Sequence, residues 1–190
     1  RQMCIRDSLQ ALVNASDGRV GLVPGVEGKD KYGRTLAHIY GLNGDNMEAR
    51  LLSEGLGYRV AVAPNVSLSG CLQVAEQAAR KGGVGVWRRS PVVPAGNVRQ
   101  SGFAVVGGRI KGIERNRGGV WLTLDDTVVL QVPARLQRNF PASFFDNLKG
   151  RQVEARGWVL DRSRKGGLKP GQRRWVLQLT DPSMLERFSG

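Results

Sequence analysis

At 190 residues and 41% hydrophobic side chains, the chain is long enough for one large domain or two small ones with cores of their own, and it is not a disordered tail. Lys and Arg number 29 against 16 acidic residues, a net +13, which favours a polyanionic partner, nucleic acid first, over a neutral one, although solubility alone accounts for part of such an excess. No run reaches the roughly 20 apolar residues of a membrane-spanning helix, so no membrane partner is expected, and two cysteines, Cys4 and Cys71, are too few for a disulfide framework.

The first eight residues, Arg1 to Ser8, look like an adapter-derived segment and are set aside; the natural N-terminus is then expected to be missing and the compartment is undefined. Residues 10 to 14 and 18 to 23 are short apolar runs around the turn residues Ala15 to Gly18, and they predict a hairpin. Thr35 to Tyr40 alternates as a strand. From Asn46, an N-cap residue, Met47, Leu51 and Leu52 fall at helical spacing, with Gly55 or Gly57 as the stop. A second helix fits Ser69 to Lys81, with Leu72, Ala75, Ala78 and Ala79 inward and Gln73, Glu76, Gln77 and Arg80 outward, ended by Gly82-Gly83. Cys71 within it reads as a small core residue without chemistry, and Trp87 as an aromatic that packs the chain end back.

Residues 91 to 102, with Pro91, Pro94 and Gly96, read as a linker between a first domain at 9–90 and a second at 103–190. Beyond it, Phe103 to Ile113, Val120 to Leu124, Thr127 to Val132, Gln152 to Leu160 and Trp175 to Thr180 are strand candidates, and Ser143 to Leu148 a short helix. That order matches a five-stranded OB-type barrel, a fold that binds oligonucleotides through a positive groove and aromatic platforms. The charge fits: residues 91–190 carry 17 basic and 8 acidic side chains, against 12 and 8 in residues 1–90. Arg109 and Lys111 on the first strand, and Arg162, Arg164, Lys165, Lys169, Arg173 and Arg174 on the loop between the fourth and fifth, are the expected phosphate contacts, the loop otherwise being a solvated one. Trp121, Trp158 and Trp175 serve equally well as core or as stacking platforms. Gly82-Gly83, Gly107-Gly108 and Gly118-Gly119 lack phosphate-loop spacing and read as turns or bulges.

One constellation is specific. Asp30-Lys31-Tyr32-Gly33-Arg34-Thr35-Leu36-Ala37-His38-Ile39-Tyr40 resembles the signature of the thermonuclease, or staphylococcal-nuclease-like, family, and the resemblance extends through Leu51 to Leu56, Pro64-Asn65, Glu76 to Lys81 and Trp87. It implies a mainly β fold of OB type with flanking helices, here the last part of the nuclease barrel with two helices. It also implies calcium-dependent hydrolysis of DNA or RNA, a secreted or periplasmic setting, a catalytic role for Arg34, and phosphate contacts by Lys31 and Tyr32. A guanidinium suits that role because it can hold two non-bridging oxygens as charge builds on a phosphodiester under attack. The family's second arginine, its general-base glutamate and its calcium-binding aspartates lie upstream of the signature, so no complete metal site is expected in this chain. Glu27, in the Gly25 to Gly28 stretch, reads as a loop charge, and His38 as a packing or hydrogen-bonding residue. Ala61 and Ala63 stand where many relatives have tyrosines, and Glu48 where asparagine is usual.

Three functions fit these residues: a nuclease whose second domain holds the nucleic acid, a non-catalytic nucleic-acid scaffold, and a basic module for acidic proteins or envelope polymers. The first is preferred for the whole protein, with binding and no cleavage by this chain alone.

Overall fold

The computed structural model describes residues 5–164 and 166–187. It divides into two compact units, Arg1–Pro91 and Val92–Gly190.

The first unit begins with helix α1 (Ile5–Asn14), where a strand over 10–14 was expected. A five-residue apolar run does not separate the two periods. Ile5, Leu9 and Val13 recur at four-residue spacing, but that repeat is visible only when the residues set aside at the N-terminus are included. The hairpin is formed instead by β1 (Gly21–Lys29) and β2 (Thr35–Tyr40), antiparallel from Gly21 opposite Tyr40, with a bulge between Pro24 and Lys29. Glu27 therefore sits in a strand and not in a turn. Among the described residues of this unit there is one two-stranded sheet, with three helices around it where two were expected.

Helices α2 (Met47–Ser53) and α3 (Ser69–Gly82) pack on each other, and α2 also packs on β2. Asn46 caps α2, its side chain accepting from the Ala49 N–H at 2.8 Å, and Gly83 ends α3 in the left-handed conformation. Met47, Leu52, Leu72, Ala79 and Trp87 form the core. The expected inward face of α3 holds at Leu72 and Ala79, but Ala78 and Cys71 are exposed and Glu76 is buried. Glu76 is drawn inward because the backbone N–H of Arg59 donates to its Oε1 at 2.8 Å and the fully buried Arg59 side chain lies 3.9 Å from its Oε2.

The second unit is a closed barrel. Its strands are β4 (Gly102–Asn116), β5 (Gly119–Leu124), β6 (Val128–Pro133), β7 (Gln152–Asp161) and β8 (Trp175–Gln178), ordered β4-β5-β6-β8-β7 and closed by the β4–β7 pairing, with β6 and β8 parallel. This is the arrangement of an OB-type barrel. Alternation sends Val106, Ile110, Val120, Leu122, Leu124, Leu130, Val159 and Leu177 inward, each fully buried and each worth roughly 1.5–3 kcal/mol. Asp125 and Asp126 both take positive φ in the β5–β6 turn, as a tight hairpin requires.

Two short strands widen the sheet where β4 and β7 pair. Val92–Pro94, read from sequence as linker, is strand β3, parallel to β4 with Val92 opposite Val105, and Leu185–Arg187 is β9, antiparallel to β7. The prolines broke the periodicity without stopping this segment from pairing at a sheet edge. Gly107 and Gly108 accordingly lie inside β4 and not in a turn; a Cβ on Gly107 would come within 2.8 Å of Val92 Cγ1. The expected helix after β6 is two short 3-10 turns, Ala134–Asn139 and Ala142–Phe145.

Candidate nucleic-acid interface

In the first unit the candidate site is the β1–β2 turn. Asp30 organises it: one carboxylate oxygen accepts from the backbone N–H groups of Tyr32 and Arg34, both at 2.9 Å, and the other from Arg34 Nε at 2.6 Å. Gly33, at φ 80°, lets the chain reverse there. Desolvation pushes the Asp30 carboxyl up, but the hydrogen bonds from Arg34 and Tyr32 outweigh it and hold the group below its usual range. The Tyr32 ring is exposed and carries two cations, Lys31 Nζ at 4.9 Å and the Arg34 guanidinium at 5.2 Å from its centroid.

Lys31, Tyr32 and Arg34 are thus brought together on one turn, two positive charges beside one phenol hydroxyl. Arg34 is 74% exposed and is engaged through Nε, which leaves the outer edge of its guanidinium directed to solvent. Such an edge can take two oxygens of a phosphate.

Two contacts brace this turn. His38 Nδ1 lies 2.9 Å from Glu48 Oε2, tying β2 to α2, which gives His38 the hydrogen-bonding role read from sequence. Asn65 donates from Nδ2 to the Glu27 carbonyl and accepts from the Glu27 N–H, both at 2.9 Å, so that it pairs with β1 like a strand. Gly25 makes room for it, since a Cβ there would meet the Asn65 side chain at 2.5 Å. Nothing in the local sequence links residue 65 to residue 27; the contact is purely tertiary.

In the second unit the basic loop after β7 is held at its neck. Asp161, buried at the end of β7, accepts from Arg174 Nη2 at 2.8 Å and Nε at 3.2 Å, and from the N–H and hydroxyl of Ser163 at 3.0 and 2.6 Å. The Arg174 and Ser163 hydrogen bonds outweigh desolvation and hold its carboxyl far below the ordinary range, while Arg174 is pushed up by the same bond. The Asp-x-Ser pattern at 161–163 is a local signal for this turn that sequence reasoning missed.

The expected phosphate contacts consequently divide. Arg174 is committed to Asp161 and lies over the Trp175 ring at 4.8 Å; Arg164 is 3.9 Å from Asp161, and Arg173 is 3.7 Å from Asp126. Arg109 is exposed but donates to the Gly150 carbonyl at 2.6 Å. Lys111 and Lys169 project into solvent, and Arg162 lies 5.4 Å over the Trp121 ring. Lys165 lies outside the described residues. Of the tryptophans, Trp175 is core, Trp121 is half-buried and Trp158 is exposed, edge-on to Phe103 at 5.4 Å.

Calcium takes several converging oxygen ligands. Among the described residues no three Asp, Glu, His or Cys side chains converge in that way, so these residues do not fit the ion as a site. Among the described residues, too, no helix is long and apolar enough to cross a membrane.

No curated protein matches the chain. Residues 9–89, which contain the Asp30 turn, β2, α2, α3 and Trp87, match the family model described as staphylococcal nuclease homologue. Residues 9–89 of this chain therefore form a domain of the staphylococcal nuclease homologue family.

Proposed function

We propose that this chain serves a nucleic-acid phosphodiesterase, its first unit contributing the phosphate-binding arginine and its second unit binding the nucleic acid. One observation carries the reading: Lys31, Tyr32 and Arg34 share a single turn whose backbone and guanidinium are both fixed by Asp30. Preorganised donors of this kind are what a phosphoryl transition state rewards, because no reorganisation is left to do when charge develops.

Arg34 is the catalytic residue of this reading, with Lys31 and Tyr32 holding an adjoining phosphate. The chain by itself binds nucleic acid and does not cleave it, since one arginine neither generates a nucleophile nor holds a metal. Lys111, Lys169, Arg109 and Arg162 are the second unit's backbone contacts in this scheme, with single-stranded regions as the partner.

Fluorescence-anisotropy titration of the full chain with labelled single-stranded DNA at two salt concentrations tests it. Affinity that falls steeply with salt is expected, because phosphate contacts release counterions. Affinity indifferent to salt, or calcium-dependent digestion of DNA by this chain alone, would contradict the binding and the non-cleaving halves respectively.

A further inference from the structure

The strand register of the barrel lines up five side chains on its outer surface. Trp121 on β5 is opposite Gln131 on β6, and Gln131 is opposite Gln178 on β8. Val159 is opposite Leu177, so the next step of that antiparallel register sets Trp158 on β7 against Gln178, and Trp158 is opposite Phe103 on β4. Their neighbours Leu122, Leu130, Leu177 and Val159 point inward and are fully buried, so the row faces out. It consists of an aromatic, two amides and an aromatic pair, across adjacent strands.

We infer that this row, Trp121–Gln131–Gln178–Trp158–Phe103, is a track for the unpaired bases of a single-stranded nucleic acid. The inference rests on the nucleic-acid binding proposed above and says which groups read the strand. Trp158 is 49% exposed, although burying it would be favourable, and Phe103 meets it edge-on at 5.4 Å, which sets the orientation of the Trp158 ring as a platform for a base. Gln178 Nε2 donates to Gln131 Oε1 at 3.2 Å. That bond fixes both amides and leaves the Gln178 carbonyl to accept from base edges; Gln131 Nε2 donates to the Gly118 carbonyl at 3.5 Å and keeps one further N–H to donate. Trp121 and Trp158 stand three strands apart, roughly 14 Å along the surface.

The positive charges are arranged beside the row. Arg162, at the start of the basic loop, stacks on Trp121 at 5.4 Å, and Lys169 extends from the same loop. Glu114 on β4 is opposite Trp121 and continues the row at its β5 end. A carboxylate there repels phosphate and ends the track at Trp121, while the loop cations take the sugar-phosphate chain and the bases turn onto the row. Arg162 occupies the Trp121 face in the absence of ligand and exchanges that stacking for a phosphate as a base takes its place. A net positive domain favours a polyanion over a neutral sugar or peptide on the same aromatic and amide surface.

The test is a titration of the full chain with fluorescein-labelled oligo-dT and oligo-dA, with the matching duplex, and with a neutral oligosaccharide, read by anisotropy and by tryptophan quenching. Trp158→Ala is expected to weaken single-strand binding by about tenfold with an unchanged salt slope, and Trp158→Phe to retain most of it, since loss of stacking removes no phosphate contact. The Gln131→Ala/Gln178→Ala pair is expected to shrink the difference between oligo-dA and oligo-dT. Duplex, whose bases are already stacked and paired, is expected to bind more weakly. Wild-type affinity in Trp158→Ala, or equal affinity for the duplex, together with a loss in Lys169→Glu, would overturn the base track while leaving phosphate binding intact. Binding of the oligosaccharide with none of nucleic acid would overturn both.

Discussion

Arg174 donates to both carboxylate oxygens of Asp161, tying the two ends of the basic loop together. The Arg162 N–H donates to the Arg174 carbonyl at 2.9 Å in the same neck, so the loop leaves and returns as a paired ribbon. Arg174 is thereby committed to a carboxylate, and among the described residues of the loop Arg162 and Lys169 are the cations proposed above as phosphate contacts.

Asp161→Ala should open this neck. The loop contains many trypsin sites, and the rate of limited tryptic cleavage between residues 162 and 174 is expected to rise, with the barrel otherwise folded by circular dichroism. Unchanged cleavage would mean that the loop is held by something other than Asp161.

Acid should act on two carboxylates, Asp161 and Asp30. The folded-state pKa values of Asp161 and Asp30 are both depressed, so their contribution is present above the ordinary carboxylate value of 3.8 and is lost as pH falls through the folded-state values. Loop protection against a protease active in acid should therefore persist at pH 5 and decline only well below about pH 4. Loss already between about pH 7 and 5 would point to a different titrating group.

With Arg34→Ala, the slope of log affinity against log salt for single-stranded DNA should shrink by about 0.7, the share of one phosphate contact. An unchanged slope would remove Arg34 from the interface.

Glu76→Ala leaves the buried Arg59 without this acceptor. Breaking a buried pair costs about 3–5 kcal/mol, so the amides of α3 should lose protection against hydrogen exchange by roughly that amount. An effect below about 1 kcal/mol would show that the other polar contacts of Arg59 carry its burial.

Asn65 and Gly25 should be coupled. Gly25→Ala places a methyl 2.5 Å from the Asn65 side chain and is expected to destabilise the hairpin, while in an Asn65→Ala background the same substitution should cost little. Hydrogen exchange at the Glu27 amide, which donates to Asn65, reads the cycle directly.

Much of this was legible in the residues. Asn46 marked a helix start through its side-chain acceptor and Gly83 a helix end through its left-handed backbone, and β5 and the last part of β7 alternate because one face lies in the barrel and the other is at least partly exposed. The Lys31, Tyr32 and Arg34 turn was readable because its geometry is made within five residues by Asp30. Helix α1 was misread because its repeat needs Ile5, and β3 because its strand character comes from pairing with Val105 to Gly107 and not from its own proline-rich sequence.

What sequence alone determined was therefore local: the helix limits at Asn46 and Gly83, the main strands of the barrel, and the nuclease-family turn. Only tertiary structure decided that Glu76 is buried, that Arg174 is spent on Asp161, that Asn65 holds β1, and that Trp121, Gln131, Gln178, Trp158 and Phe103 stand in one row. Strand register and ion pairing depend here on partners 10 to 55 positions away. A side chain's charge or aromaticity is written in the chain, whereas the group it meets is set by which strands lie side by side.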